Sequence, residues 1–187
     1  MDLNQWYEKG MDPDTYIEAM DENKDNLLHI YDGFKPPEDN EFNRKLADKN
    51  LRVIVLTEDW CGDAMLNIPI LLHISEQANM PVKVLLRDDN LELMDQYLTN
   101  GKSRSIPIFI FIDESGKRVA KWGPHADKIQ EFVDESTNQL PSKDDENYSE
   151  KAKEMYLFIS KTFRDNTNFW QDVYNSIKAT LDKEANL

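Results

Sequence analysis

Residues 52–72 read RVIVLTEDWCGDAMLNIPILL and carry the clearest structural pattern in the chain. It opens with the β-branched, apolar run 53–56, which is typical of a strand buried on both faces of a sheet. A short acidic turn follows, and a helical pattern of apolar residues begins just after Cys61, the only cysteine in the chain. The first N–H groups of a helix lack partners within the helix, and its dipole favours negative charge there, so this position favours a thiolate. The stretch therefore predicts a strand, a turn that carries a thiol, and a helix.

Several motifs occur in the order and spacing of the thioredoxin family, and the chain resembles that family. The similar motifs are the turn Trp60-Cys61-Gly62-Asp63-Ala64, the helix proline Pro69, the cis-proline pair Ile106-Pro107 before an apolar strand, and Gly123 after the last strand. The resemblance implies an α/β, thioredoxin-like fold, with a central mixed β-sheet flanked by helices and extra helices at both ends.

Two departures from the family pattern bear on function. Ala64 stands where the second cysteine is expected, so the turn resembles a subgroup with a single active-site cysteine, of the form WCGDA. Val55 stands where many thioredoxins keep a buried carboxylate that assists proton transfer. A general dithiol reductase is therefore not predicted, because an outside thiol must release any mixed disulfide that Cys61 forms.

The resemblance also implies the site residues. Cys61 would be the catalytic thiol, and His125 would be a possible modulator of it. The residues implied to bind substrate are Trp60, Gly62, Asp63, Ile106, Pro107 and Gly123. The direction of the pKa shift of Cys61 stays open, because the helix N-terminus lowers that pKa while Asp63, Glu58 and Asp59 raise it.

The sequence pattern divides the chain into three parts, with the Cys61 turn in the middle part. Residues 1–39 form a helical extension, in which a helix is predicted over residues 27–34, with a strand at 27–31 as the alternative. Residues 40–140 form the thioredoxin-like domain, with strands near 53–56, 82–86, 108–112 and 118–121 and a helix from Leu91 to Asn100. Residues 141–187 form a linker and two amphipathic helices packed on the same domain, with a dimer contact as the alternative.

Composition restricts the partners. A formal net charge of −14 disfavours nucleic acid and anionic membranes, which would repel such a surface. We expect a cytoplasmic monomer without cofactor, because no secretory signal is visible and one cysteine cannot form an internal disulfide. No metal site is predicted, because three scattered histidines and one cysteine do not form a zinc-binding pattern.

Three functions remain as alternatives. The first is a thiol–disulfide protein, with or without turnover as an oxidoreductase, that forms mixed disulfides with protein thiols or disulfides or with a low-molecular-weight thiol. The second is a redox-inactive adaptor that binds proteins through the cis-proline groove, which the loss of the second cysteine favours. The third is a thiol that senses oxidants.

Overall fold

Helices and strands alternate through residues 2–187, which a computed structural model describes. The elements are α1 (Asn4–Lys9), α2 (Pro13–Ala19), α3 (Lys24–Gly33), α4 (Asn40–Ala47), β1 (Arg52–Thr57), α5 (Gly62–Gln77), β2 (Val82–Leu86), α6 (Leu91–Met94), β3 (Ile108–Ile112), β4 (Arg118–Trp122), α7 (Asp127–Thr137), α8 (Tyr148–Asp165) and α9 (Thr167–Glu184).

The four strands form one mixed sheet in the order β2-β1-β3-β4. Strand β1 runs parallel to β2, with Val53 opposite Val82, and antiparallel to β3. Strands β3 and β4 form an antiparallel hairpin. The apolar residues of β1 and all of β3 are buried, as continuous apolar runs predict for central strands. This mixed sheet, flanked by helices and with extra helices at both ends, is the predicted thioredoxin-like fold.

Helix α5 connects the two parallel strands and is buried on nearly all sides, because helices α3, α8 and α9 pack around it and the sheet. Pro69 lies inside this helix and Cys61 is its N-cap residue. The end of β1 and the start of α5 therefore hold Cys61 between two rigid elements.

In two regions the structure bears on the sequence predictions: it decides between two alternatives in one and corrects a helix length in the other. Residues 27–31 lie in helix α3, so the helix was the correct alternative. Within residues 2–187, the outer edge of β2 is paired only through the isolated bridge between Met11 and Val84. The helix predicted from Leu91 to Asn100 is wrong in length. It ends at Met94. The N–H of Asp95 still bonds to the carbonyl of Leu91, but those of Gln96 and Tyr97 bond to carbonyls three residues back and tighten the chain into turns.

The C-terminal helices pack on the α/β core. The indole of Trp122 on β4 donates to Ser176 Oγ on α9 at 2.9 Å, and the backbone N–H of Lys121 donates to Glu184 at 3.1 Å. Helix α9 thereby satisfies part of the outer edge of β4, which would otherwise be unpaired. None of the helices over residues 2–187 combines the length and apolar character that crossing a bilayer requires.

Candidate functional site

The sulfur of Cys61 lies at the N-terminus of α5, as the strand–turn–helix pattern predicts. Cys61 Sγ accepts a hydrogen bond from the backbone N–H of Ala64 at 3.4 Å, which satisfies one of the free donors of the helix. Its thiol donates to the backbone carbonyl of Ile106 at 3.5 Å. The thiol therefore joins the first turn of α5 to the loop that precedes β3.

That loop packs against a second one. The Ile106–Pro107 and Gly123–Pro124 peptide bonds are both cis. Gly123 has a φ of +116°, and a Cβ added there would meet the carbonyl oxygen of Pro107. Only glycine fits this close approach, which fixes the Gly123 loop beside the Ile106 loop.

The two loops and the Cys61 turn border an open groove of about 470 Å³, called the Cys61 groove below. Its lining residues are Trp60, Cys61, Asp63, Arg87, Ser103, Arg104, Ser105, Ile106, Pro124 and His125. Of the residues named from the sequence, Gly62, Pro107 and Gly123 do not line it. Gly62 faces Ser160 of α8, whereas Gly123 packs against the backbone of Pro107.

Burial sets the ionisation of the thiol. Cys61 is 7% exposed, and this burial, with the negative charge of Asp63, raises the pKa of its thiol from 9.0 to about 12. The N–H groups of Ala64 and Asp63 and the guanidinium of Arg87 act in the opposite direction but do not prevail. The pKa of Cys61, whose direction of shift the sequence left open, is therefore raised, and the thiol is protonated at neutral pH.

His125 lies beside Asp63. Its Nε2 is 2.8 Å from Asp63 Oδ1, in a short ion-pair contact too poorly aligned for a hydrogen bond, and its Nδ1 is 2.7 Å from Gln130 Oε1. Gln130 Nε2 donates to Asp134, which fixes the Gln130 oxygen toward the ring. Both ring nitrogens therefore lie close to side-chain oxygens, which favour the protonated form of the ring. Burial alone would lower the pKa of His125, but Asp63 and Gln130 raise it overall.

Arg87 is one of the groove residues that the sequence analysis missed, together with Ser103, Arg104, Ser105 and Pro124. Its guanidinium lies 5.0 Å from the ring centroid of Trp60 and donates to the backbone carbonyl of Arg104 at 3.0 Å. Trp60 itself is 46% exposed. A signal was available, because Arg87 directly follows β2, and the carboxyl ends of the parallel strands β1 and β2 meet at one edge of the sheet.

Asn67 was missed as well. It lies one turn after Asp63 on α5, is fully buried, and donates from Nδ2 to the carbonyl of Pro124 at 3.0 Å. Helix α5 thus holds the 123–125 loop at two successive turns, through Asn67 and through the contact from Asp63 to His125.

Both terminal extensions reach the turn that carries the thiol. On one side, Asp59 accepts hydrogen bonds from the N–H groups of Asp21 and Glu22, at 2.9 and 3.3 Å. On the other side, Ser160 of α8 lies against Gly62, where an added Cβ would be 3.4 Å from the Ser160 hydroxyl. The extra helices therefore support the Cys61 turn from before and after it in the chain.

Within residues 2–187, no cluster of three or more histidine, cysteine, aspartate or glutamate side chains has the arrangement of a metal site. The groove offers one sulfur, one imidazole next to a carboxylate, two guanidinium groups and two serines. Chemically, this set supports thiol exchange or the binding of an extended polypeptide.

Comparisons with known proteins extend this description. The chain is similar in structure to an HIV epitope-scaffold protein, with a TM-score of 0.67, 11% identity, and coverage of 97% of this chain and 98% of the other. It is also similar to a protein of unknown function from Pseudomonas aeruginosa, with a TM-score of 0.61, 12% identity, and coverage of 96% and 98%. At these identities the likeness concerns the fold alone. The comparison with curated proteins found no match. A sequence profile of the family described as Thioredoxin matches residues 10–140, most of the chain, and the protein therefore belongs to the thioredoxin family.

Proposed function

We propose that this protein is a single-cysteine thiol–disulfide protein that forms and releases mixed disulfides through Cys61. One observation carries the proposal. The Cys61 sulfur lines an open groove and lies 3.5 Å from the carbonyl oxygen of Ile106, at the start of α5. A disulfide entering the groove would meet the thiol at the helix N-terminus, where two N–H groups stabilise a thiolate.

The reaction balances without a cofactor. The Cys61 thiolate attacks one sulfur of a disulfide R–S–S–R′, so that a Cys61–S–S–R bond forms and R′–S⁻ leaves and takes up the proton that Cys61 lost. An outside thiol R″–SH then attacks the sulfur of R, which yields R–S–S–R″ and restores the Cys61 thiol. Ala64 provides no internal route for this second step, since it replaces the second cysteine.

The substrates that we propose are protein thiols or disulfides, or a low-molecular-weight thiol, and not nucleic acid or membrane.

The groups that surround the Cys61 sulfur support slow exchange. Trp60 and Arg87 pack on each other in the groove that Cys61 lines, and Asp63 places a negative charge near the sulfur. A thiol that reacts slowly until a bound target displaces water and orients its disulfide is selective for targets that fit the groove.

The proposal is tested by incubating the native chain with a small aromatic disulfide and measuring its intact mass. We expect a single adduct on Cys61, removal of that adduct by added glutathione, and no adduct on Cys61→Ser. Native protein that stays unmodified, while the same chain reacts once unfolded in urea, would contradict the proposal.

A second candidate function is a redox-inactive adaptor that binds polypeptides in the Cys61 groove. The observation that favours it is the burial of Cys61, which raises the pKa of the thiol to about 12. The adaptor predicts that Cys61→Ser captures partners as well as the natural chain does. Thiol exchange predicts instead that stable capture is lost with the sulfur.

A further inference from the structure

An open cavity lies at the end of α5 that is opposite Cys61. We call it the α5 cavity, after the helix end from Leu72 to Asn79 that lines it together with α2, α3 and the start of β2. Its volume of about 740 Å³ is within the range of roughly 300–1,000 Å³ that is typical of small-molecule sites. It shares no lining residue with the Cys61 groove, and the 16 residues of α5 place the two ends of that helix about 24 Å apart.

The inner wall of the α5 cavity is apolar. Its apolar lining residues include Pro13, Ile17, Leu28, Leu72, Met80 and Val82. Leu72, Met80 and Val82 belong to the buried core, whereas Ile17 and Leu28 are half-buried and keep part of their apolar surface in contact with water. A ligand with an apolar body would remove that surface from water, which favours binding.

Carboxylates lie at the edge of the cavity. Asp14 and Glu18 are one turn apart on α2, and within residues 2–187 no cation lies within ion-pair distance of either carboxylate. The ammonium of Lys24 bonds to the backbone carbonyl of Glu18 at 3.2 Å and not to its carboxylate. Asp12, by contrast, is already paired with Lys83 at 2.8 Å. At least two negative charges at this edge are therefore free to meet a cation.

Tyr31 and Glu76 add an aromatic ring and a further carboxylate to the lining. Tyr31 Oη donates to Glu76 Oε1 at 2.6 Å, and the Tyr31 ring stacks on His73 with 4.4 Å between the ring centroids. Glu76 Oε2 lies 3.9 Å from His73 Nδ1. Both a carboxylate and the face of an aromatic ring attract an ammonium group. Of the described residues that line the cavity, none is lysine, arginine or histidine.

The backbone around the cavity favours a cation as well. Ser75 and Asn79 place the C-terminal end of α5 in the lining, and this end of a helix carries partial negative charge. On β2, Met11 and Val84 bond to each other in both directions, and the same register sets Pro13 opposite Val82. Proline has no N–H to donate, so the outward carbonyl of Val82 has no partner among the described residues.

We propose that the α5 cavity binds a small organic amine, in which an ammonium group is joined to an apolar body. The apolar body packs on Ile17 and Leu28, and the ammonium group lies among the carboxylates of Asp14, Glu18 and Glu76. The same carboxylates repel a ligand that carries a negative charge. The inference does not depend on the proposed thiol exchange, because the two sites share no residue.

Binding is tested on the full chain with three ligands that share an indole body: tryptamine with an ammonium group, tryptophol with a hydroxyl and indolepropionate with a carboxylate. Putrescine supplies ammonium groups without an apolar ring. The readout is the NMR shift of each backbone amide at neutral pH. We expect tryptamine to shift the amides of Ile17, Leu28 and Val82 until they saturate, and its affinity to fall as salt rises. Tryptophol should bind at least about threefold more weakly, and indolepropionate and putrescine should not bind.

Matched variants locate the site. Asp14→Asn combined with Glu18→Gln should weaken tryptamine binding about threefold or more, since two exposed ion pairs contribute at least that factor together. The control combines Glu131→Gln with Glu135→Gln, which also removes two exposed charges four residues apart, but from α7. The control should leave the Kd of tryptamine unchanged. Urea unfolding of both variants would show that they fold.

Any of five results would overturn the proposal. They are the lack of a saturable shift with tryptamine, equal binding of indolepropionate, an unchanged Kd in the Asp14 and Glu18 variant, shifts confined to the amides of the Cys61 groove, and a second copy of the chain that fills the cavity. The last result would appear as shifts that follow protein concentration without ligand. Failure of thiol exchange is a separate result, seen as a native chain that forms no adduct with a small disulfide, whether or not tryptamine binds.

Discussion

Replacing Asp63 by asparagine should make the thiol of Cys61 more reactive. Burial and Asp63 together raise the pKa of Cys61 from 9.0 to about 12, which lowers the fraction of thiolate at neutral pH about a thousandfold. A more basic thiolate is also more nucleophilic, and this recovers a factor of roughly 16 to 30. The native thiol should therefore react about 30- to 60-fold more slowly than a cysteine of ordinary pKa.

Asp63→Asn removes the nearby negative charge and leaves the burial in place. A close like charge changes thiolate content by about tenfold, and the same correction for nucleophilicity reduces the net gain to about three- to fourfold. The assay is alkylation by iodoacetamide at several pH values, followed by intact mass. The chain holds one cysteine, so each rate belongs to Cys61 alone.

Two controls make the result interpretable. The same chain unfolded in urea gives the reference rate, and Asp12→Asn removes one charge beside Lys83, at the opposite end of β2 from Arg87. Native Cys61 that reacts as fast as the unfolded chain, or an Asp63→Asn rate at or below that of the natural chain, would refute the reasoning.

Three further outcomes are expected. Gly123→Ala should lower the free energy of unfolding in urea by at least about 2 kcal/mol, because its new Cβ meets the Pro107 carbonyl, whereas Gly101→Ala, with open space and a φ of +67°, should lose only about 1 kcal/mol. His125 has a raised pKa in the folded state, so the stability from its contact with Asp63 is present below pH 6.5 and is lost as pH rises through the pKa of the folded state. The free energy of unfolding, measured across this pH range, should show the loss in the natural chain and not in His125→Gln. Ala64→Cys should supply an internal resolving thiol, so that treatment with a small disulfide gives a chain two mass units lighter than its dithiol form, with no retained adduct; a stable adduct would argue against this role for position 64.

Much of the core could be predicted from the sequence because its signals are local. The apolar runs of β1 and β3 are buried in the sheet, so their residue types alone indicate central strands, and the run at β2 indicates a further strand. The position of Cys61 followed from the transition between a strand pattern and a helix pattern. Helix α6 was predicted too long because apolar spacing continues through turns that bury Tyr97 without helical hydrogen bonds.

The rest of the site depends on distances between residues far apart in the chain. Asp21 and Asp59 meet because α2 and α3 lie over the turn, and Gly62 meets Ser160 because α8 returns to the core. The ionisation of Cys61 could not be predicted for the same reason. The helix N-terminus was visible in the sequence, but the burial that outweighs it is set by the loops at Ile106 and Pro124.

Whether Cys61 reacts in the folded protein is tested by the rate at which a small aromatic disulfide modifies it at urea concentrations below the unfolding transition. If the thiol reacts from the native groove, the rate stays constant as urea is added, because the population of unfolded chain does not limit it. A rate that rises with urea in proportion to the unfolded fraction would mean that Cys61 reacts only after the protein opens, and that result would contradict a functional groove.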